Sequence, residues 1–526
     1  QTVQNLRPSM TEQKAKIFVR ESTGLVKNVS LLDAVALNVS SMSGGAALAT
    51  IAFTMFAIPA VLTSAGGINL VYGSLIAFAI TIPQMVVYTI MTRRLPRTGG
   101  DYVWTSRAFG GFVGSTVSFM GYTIETMAFM ALIAFSTVLA IGAVLVQLGY
   151  SQYLDLAIPI NFGGSAIPQF ALGAVIYTIL ILLNILRPKY GFKLVSATMI
   201  IGILSLIVAN IVLLAAGNSG VVSYINGLGI NGTTYSSVAA SYPGSTFNFS
   251  NTIFLMPFFA MFVYPWFVAA PAVASEIKGK RSTNWNVPIS GLVSLIIVTG
   301  SFATLYYVGG YHFINGAFFN SNLVNDYSFN FWTLAMGVSG NVAVETFIGA
   351  GWVLWNIGIL AYGIIGISRY IFAQAFDRFL PEKMAYISPR FRSPVIAHVI
   401  DLVVTVGILG VAISFYGYIN SLYGAIMASM IYFIFVGGAA ATYAVRHEKG
   451  GMKTLLAVAG ILSACVFAFL TYQFLAYPGV WGGNTFAYGY ILLSAILGAI
   501  IYVVSSSYHK KKGIDIGMAY KEIPPE

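Results

Sequence analysis

The sequence predicts an all-α polytopic membrane protein of twelve transmembrane helices, and three observations support this fold class. First, 57% of the 526 residues are hydrophobic and 8% are charged, whereas a soluble domain carries about 25% charged residues. Second, twelve apolar segments are each long enough, at roughly 20 residues, to cross a bilayer. Third, all 27 Lys and Arg residues fall in the two tails, in alternate gaps between these segments, or near the segment ends that border those gaps. Since basic residues stay cytoplasmic, both termini are predicted to lie inside the cell.

The twelve segments leave no room for a separate soluble domain. They are predicted at residues 31–60, 66–92, 111–148, 168–187, 192–216, 252–275, 287–311, 342–378, 395–416, 418–445, 453–476 and 484–507. The cytoplasmic N-tail (1–30) and C-tail (508–526) are too short to fold alone, and we expect both tails to be partly disordered.

The extracellular loop at residues 217–251 contains no charged residue. A surface with few titratable groups changes little in charge at low external pH, which favours an acidophilic archaeal host. Asn231 and Asn248 begin glycosylation sequons in this loop, and their placement adds a little weight to an archaeal or eukaryotic cell surface.

Two spans contain sequences that break helices. The first span includes Ser40–Ala46, with the pair Gly44-Gly45, and the sixth includes Val263-Tyr264-Pro265-Trp266. Gly and Pro interrupt the helical hydrogen-bond ladder, and backbone freed within a membrane must line a cavity or be buried in protein. Either break alone is equally explained by a packed Gly or a kink. Two breaks five spans apart favour a transporter built from inverted repeats, with its site at the breaks.

Several separated motifs resemble one transporter family. They are Leu32–Leu37 leading to Gly44-Gly45-Ala46, Pro96-Arg97-Thr98-Gly99-Gly100-Asp101-Tyr102, Glu276-Ile277-Lys278, Ser368-Arg369-Tyr370 and Asp377-Arg378-Phe379-Leu380-Pro381. Over residues 30–445 the sequence thereby resembles the amino acid–polyamine–organocation (APC) transporter superfamily. The resemblance implies a first inverted repeat at 31–216, a second at 252–445 and two further helices within 446–507. It implies a small-molecule substrate, an amino acid or an amine, and no cofactor.

The resemblance also implies a substrate site at the two breaks. A helix that starts at Gly44 presents free N–H groups and a positive dipole end, which suit a carboxylate. Carbonyls at the ends of the preceding half-helices suit an ammonium group. Carried over residue by residue, the carboxylate binds the amides of Gly44, Gly45 and Ala46, the amino group binds the carbonyls of Met42, Phe262 and Pro265, and Phe262 is an aromatic lid. Ser43 and Trp266 complete the set of expected substrate-binding residues.

The chain departs from the family pattern at two of these positions and at one nearby. Gly45 replaces the middle Ser of the first break, Trp266 stands where a small Gly is usual, and Val268 replaces an acidic residue found in some members. We expect Trp266 to shrink or reshape the pocket.

The usual coupling groups of the family are missing. The eighth span has no Ser or Thr between Thr346 and Ser368, which disfavours the family's sodium site, and the fifth span has no Lys at the position that some members use. Glu125 lies about 14 residues into the third span, or roughly 21 Å from its start. A carboxyl group inside the membrane is by default a functional candidate. Burial favours its neutral form, which suits proton coupling. Glu125 could instead bind a cationic substrate group, or be a hydrogen-bonded structural residue.

The remaining charged residues have less specific interpretations. Asp101 and Arg369 are candidates for a gating network, with solvated loop charges as the alternative. Asp33, Asp401 and Glu345 lie near span ends, where we expect structural roles. The net charge of +11 is explained by cytoplasmic loops, so we expect no nucleic-acid partner.

The sequence therefore predicts a secondary amino acid transporter of the plasma membrane, a monomer or homodimer surrounded by lipid, with proton symport through Glu125. A polyamine or organocation carrier and an amino acid exchanger are the first alternatives, and a non-transporting amino-acid receptor is the second. We expect no enzyme, because no nucleophile–base pair or metal-ligand cluster is visible. The absence of a phosphate-binding Gly-rich loop disfavours a primary pump.

Overall fold

The protein is an all-α polytopic membrane protein. A computed structural model describes residues 25, 27–57, 66–160, 163–230, 232–324, 329–415 and 419–523, and these residues form helices without a β-strand. Among them, eleven helices are long and apolar enough to cross a membrane, and the shorter apolar helix Phe249–Phe262 occupies the place of the sixth predicted span.

The helices follow the order of the predicted spans. Those of the first six spans and their connections are α1 (Leu31–Ser41), α2 (Gly44–Ala57), α3 (Leu70–Arg94), α4 (Asp101–Ser118), α5 (Glu125–Gln147), α6 (Leu154–Ala157), α7 (Ala166–Leu186), α8 (Pro188–Gly227), α9 (Tyr235–Ala240), α10 (Phe249–Phe254), α11 (Met256–Phe262) and α12 (Ala269–Ala272). A π-helix, Phe119–Ile124, joins α4 to α5.

The second half continues in the same way. Its helices are α13 (Gly279–Gly309), α14 (Tyr311–Phe318), α15 (Ser321–Val324), α16 (Phe331–Gly337), α17 (Val342–Phe376), α18 (Val395–Ser414), α19 (Ile419–Ala425), α20 (Met427–His447), α21 (Gly450–Ala476), α22 (Pro478–Trp481) and α23 (Thr485–Lys511).

Both predicted helix breaks are present. The first span is interrupted at Met42 and Ser43, between α1 and α2, and Ser43 has a left-handed φ of 53°. This conformation costs a residue with a Cβ atom about 1–2 kcal/mol. The sixth span is interrupted over residues 263–268, between α11 and α12. The breaks lie five spans apart in the chain.

Gly110 explains the length of the third span. The helical segment runs from Asp101 to Gln147, well beyond the predicted start at residue 111. Gly110 has a φ of 81° inside it, a backbone conformation that Gly adopts without steric cost. The helix therefore bends one residue before the predicted membrane span begins.

The predicted loop at 217–251 is partly helical. Helix α8 continues past the non-helical Gly217 to Gly227, and α9 follows it. The extension is stable because Val221 and Ile225, one turn apart, are both fully buried. The sequon residue Asn231 lies outside the described residues. Asn248 caps α10, since its side chain accepts from the amide of Asn251.

The N-tail and the segments of two alternate gaps meet at one end of the bundle. Lys27, Arg93, Arg94 and Lys280 line the same surface cavity of about 540 Å³. We call this end of the molecule the basic end.

The expectation of disordered tails is wrong for part of the C-terminal segment. Residues Ile516–Tyr520 form a short 3₁₀ helix that docks on α4. The Tyr520 ring fills the space beside Gly111, where an added Cβ would lie 2.2 Å from the ring. Arg107 donates to the carbonyl of Ala519 at 3.2 Å and also pairs with Asp377. Burial raises the pKa of the Tyr520 phenol well above its usual value, so this side chain docks in its neutral form.

Replacing Tyr520 by Ala is expected to release the C-terminal segment. Burying a side chain of this size contributes about 1.5–3 kcal/mol, so its loss should raise the open fraction roughly ten- to a hundredfold. Limited trypsin digestion of the purified protein, followed at Lys521, measures this because cleavage tracks the open population. Tyr508→Ala is the control, since Tyr508 is 53% exposed. An unchanged cleavage rate in Tyr520→Ala would contradict the docking.

Candidate functional site

Four helices enclose a cavity of about 50 Å³ beside the first break. Its walls come from α2, α5, α11 and α17, with one tyrosine from the tenth span. The lining residues are Ser43, Ala46, Ala47, Ala49, Thr50, Phe129, Leu132, Ile133, Ser136, Phe258, Phe262, Trp352, Asn356 and Tyr423. Residues of both interrupted helices therefore border one internal space.

The start of α2 offers hydrogen-bond donors at this cavity. The first amides of a helix have no partner within the helix. Here the amide of Ala47 is already bound to the carbonyl of Ser43 at 2.9 Å, so the free donors expected at this start are those of Gly44, Gly45 and Ala46. Together with the positive end of the helix dipole, such amides suit a carboxylate.

Three of the eight predicted substrate residues lie on the cavity wall, namely Ser43, Ala46 and Phe262. The other five, Met42, Gly44, Gly45, Pro265 and Trp266, belong to the breaks but not to the lining that the structure describes. Phe262 is half-buried and contacts Tyr423 edge to face, with ring centroids 6.0 Å apart.

The carbonyls of two predicted residues already have donors. The carbonyl of Gly45 accepts from the Trp332 indole at 2.8 Å, and that of Pro265 accepts from the Gln84 amide at 2.9 Å. These contacts fix the backbone of both breaks. The contact to Pro265 also engages one of the three carbonyls, those of Met42, Phe262 and Pro265, that the resemblance assigns to an ammonium group.

Trp266 does not enter the cavity. Its ring stacks on Phe129 at 5.8 Å, and its indole donates to the carbonyl of Met261 at 2.9 Å. Trp266 therefore stands behind the wall residue Phe129, and it acts on the pocket through that ring rather than by direct contact.

Trp355 explains the departure at Gly45. An added Cβ on Gly45 would lie 2.3 Å from the Trp355 ring, and one on Gly202 of α8 would lie 2.8 Å from it. The indole thus fills the gap between the first break, the fifth span and the eighth span.

Glu125 is fully buried at the first residue of α5, directly after the π-helix. Its Oε2 accepts weakly from Thr126 at 3.4 Å, while Oε1 has no hydrogen-bond partner among the described residues. The hydroxyls of Tyr122 and Tyr362, which interact electrostatically with Glu125, also lack one. Phe129, one turn further along α5, lies on the cavity wall. Glu125 is thus adjacent to the cavity on its basic-end side.

Asn356 is a functional candidate that the sequence analysis missed. It is 2% exposed and lines the cavity in the middle of α17. Its Oδ1 has no hydrogen-bond partner among the described residues. The signal was present in the sequence, because an amide side chain within an apolar span is unusual and needs a partner.

Contacts between loops and helix ends close the basic end. The backbone amide of Gly99 donates to the carbonyl of Ala272 at 2.9 Å, and the hydroxyls of Thr98 and Ser275 are hydrogen-bonded to each other. Both contacts join the loop after the second span to the segment after the sixth break.

Asp101 and Arg369 are buried within this closure, so their alternative interpretation as solvated loop charges is wrong. Asp101 is fully buried and accepts hydrogen bonds from the hydroxyls of Tyr88, Tyr370 and Tyr432. Arg369 donates to both carboxylate oxygens of Glu276, at 2.8 and 3.0 Å. Neither charged group is left to water.

An all-α membrane bundle with two interrupted helices around one internal cavity is the architecture of a transport protein. The amino acid permease family model matches residues 29–506. The chain therefore belongs to the amino acid permease family, which is a family of transporters and not of enzymes. It is also similar to "Uncharacterized protein 399" of Sulfolobus islandicus rod-shaped virus 1. The two are 23% identical over 496 residues, covering 93% of this chain and 97% of the relative.

Proposed function

We propose that this transporter is a secondary active carrier that moves amino acids across the plasma membrane by alternating access, with proton symport through Glu125. One observation carries the proposal: Ser43 and Ala46 of the first break and Phe262 of the sixth border a single cavity. Half-helices that meet at such a cavity bring free amides and carbonyls to the two charged ends of an amino acid.

The substrate carboxylate lies at the start of α2, on the amides of Gly44, Gly45 and Ala46, and Phe262 covers the bound molecule. Transport requires the cavity to open to each side in turn. The pair Arg369–Glu276 and the cluster around Asp101 hold the basic end shut in one of these states. Because basic loops stay cytoplasmic, the basic end and both termini face the cytoplasm.

Glu125 supplies the proton site. Among the described residues, Oε1 of Glu125 and the hydroxyls of Tyr122 and Tyr362 have no hydrogen-bond partner, so a proton can bind Oε1 without breaking a hydrogen bond seen there. A carboxyl buried within a membrane favours the neutral form, so the proton is bound when the site is closed and is released when water enters. The position beside the cavity couples this step to the substrate.

Uptake into proteoliposomes tests both parts of the proposal. Labelled amino acids and putrescine are offered with and without an inward proton gradient, to the wild type and to Glu125→Gln. We expect the gradient to drive accumulation of amino acids in the wild type, and the variant to lose this accumulation by about tenfold or more while retaining counterflow exchange.

Asp401→Asn is the matched control for Glu125→Gln. Asp401 is another fully buried membrane carboxyl, and its Oδ2 also has no hydrogen-bond partner among the described residues, but Tyr177 and Thr405 both donate to its Oδ1 at 2.8 and 2.9 Å. The Asn variant keeps an acceptor for both donors, so gradient-driven uptake should persist. Uptake that proceeds only by exchange and ignores the gradient would refute proton symport. Transport of putrescine alone would support the organocation alternative, and binding without flux would indicate a receptor.

A further inference from the structure

We propose that the cavity selects neutral amino acids with apolar side chains, and that the Asn356 amide binds the substrate's α-amino group. This inference rests on the proposed function, because it names the substrate class of the same site.

The cavity wall is apolar and carries no charge in the part of the chain that the structure describes. Leu132, Ile133, Phe258 and Trp352 face the space, together with three alanines of α2, and no Asp, Glu, Lys or Arg is among its lining residues. A charged substrate side chain would lose its hydration here without gaining a partner, which is strongly unfavourable. The volume of about 50 Å³ corresponds to roughly three to five water-sized positions, which favours compact side chains.

Asn356 differs from the wall residues Ser43 and Thr50, because its acceptor has no partner in the part of the chain that the structure describes. The hydroxyl of Ser43 donates to the carbonyl of Ser41 at 3.1 Å, and that of Thr50 donates to the carbonyl of Ala46 at 3.2 Å. By contrast, Oδ1 of the buried Asn356 has no partner among the described residues. A buried acceptor without a donor costs free energy, so a donor supplied by the substrate removes this cost.

Asn356 lies at the level of the first break. Its neighbour in sequence, Trp355, packs on Gly45, and Gly358 approaches the side chain of Ser40, where an added Cβ would lie 3.5 Å from Oγ. The positions before and after Asn356 therefore bracket the break on α1 and α2, which is where the charged ends of the substrate are placed.

The α-amino group is the donor that needs this acceptor. The carbonyls of Gly45 and Pro265 already accept from Trp332 and Gln84. An ammonium group carries three donors, and hydrogen bonds from a charged donor are the stronger ones. Oδ1 of Asn356 therefore adds a buried acceptor to the carbonyls of Met42 and Phe262 that the resemblance assigns to this group.

Equilibrium binding to the purified protein, with labelled leucine as the probe, tests the proposal. Competing leucine, isoleucine and valine are expected to bind at least about a hundredfold more tightly than lysine or glutamate, whose charges find no partner. Asn356→Leu should weaken leucine binding roughly ten- to a hundredfold, the effect of one hydrogen bond to a charged group. Asn356→Asp should restore it, since it keeps the acceptor.

Isocaproate separates binding from a merely structural role. It has the leucine side chain and carboxylate but no amino group, so Asn356→Leu should leave its weak binding unchanged. Asn210→Leu is the control, because Asn210 of α8 donates to Leu206 and Ser301 and does not line the cavity. Leucine binding should survive this substitution.

Different failures would overturn different claims. If lysine or glutamate competes as well as leucine, or if Asn356→Leu weakens isocaproate as much as leucine, this inference is wrong although the protein still carries amino acids. If no amino acid binds to or is transported by the wild type, the proposed function itself fails.

Discussion

Replacing Arg369 by Ala is expected to lower the free energy of unfolding by about 3–5 kcal/mol, because it leaves the carboxylate of Glu276 buried without its cation. The two side chains are 5% and 6% exposed and are joined by two hydrogen bonds. The backbone carbonyl of Glu276 also accepts from the amides of Asn28 and Val29. Glu276 therefore also fixes the segment that precedes α1. Thermal unfolding in detergent measures the loss, and uptake into liposomes should fall with it.

A double variant separates the cost of an unpaired charge from the role of the pair. Replacing both Glu276 and Arg369 by Leu leaves no unpaired charge and should regain most of the lost stability. We expect transport to remain impaired, because an apolar contact at the basic end does not hydrate and separate as an ion pair does. Glu382→Ala is the control. Glu382 pairs with Arg378 but is 57% exposed, so its loss should cost less than about 1 kcal/mol. A stable Arg369→Ala single variant would contradict this account of the basic end.

The positions of the breaks could be predicted from the sequence because their causes are local. A Gly pair and a Pro within apolar spans weaken the helix wherever the rest of the fold lies. The structure places the interruptions at Met42 and Ser43 and at residues 263–268, on or directly beside these residues. The kink at Gly110 also has a local cause, the positive φ of a Gly residue. It lies one residue before the predicted start of the span at residue 111.

The surroundings of the charged residues could not be predicted, because they come from distant parts of the chain. Tyr370 and Tyr432 donate to Asp101 across 269 and 331 residues, and nothing near Asp101 in sequence indicates three hydroxyls around it. Because Asp101 lies in a predicted loop between two spans, its carboxylate could be expected to be solvated by water. Asn356 shows the opposite case. Its polar side chain in an apolar span was visible in the sequence, but the cavity that gives it meaning is formed by four helices.

Gly45 illustrates how a departure from a family pattern becomes interpretable only with its partner. The sequence showed a lost hydroxyl, whereas the structure shows the Trp355 ring in the place of any side chain on this residue. Trp355 is 3% exposed, and its ring also packs closely against Gly202. The ring therefore has no room to move away from a side chain at residue 45. The Gly at residue 45 and the Trp at residue 355 are therefore one packing arrangement, which closes the gap between the first break and the eighth span.

Gly45→Ala should consequently destabilise the protein by about 1–3 kcal/mol or more, the usual cost of overpacking a core. Because relief of the clash displaces the first amides of α2, we also expect the KM for amino acid uptake to rise by about tenfold or more. Gly300→Ala is the matched control. Its added Cβ meets no atom within 4 Å, and Ala in a helix interior is favoured over Gly by about 0.5–1 kcal/mol. The double variant Gly45→Ala/Trp355→Leu should recover stability, since the smaller side chain vacates the space. If Gly45→Ala alone is as stable as the wild type, or if the double variant is no more stable than Gly45→Ala, the Trp355 ring is not the reason for a Gly at residue 45.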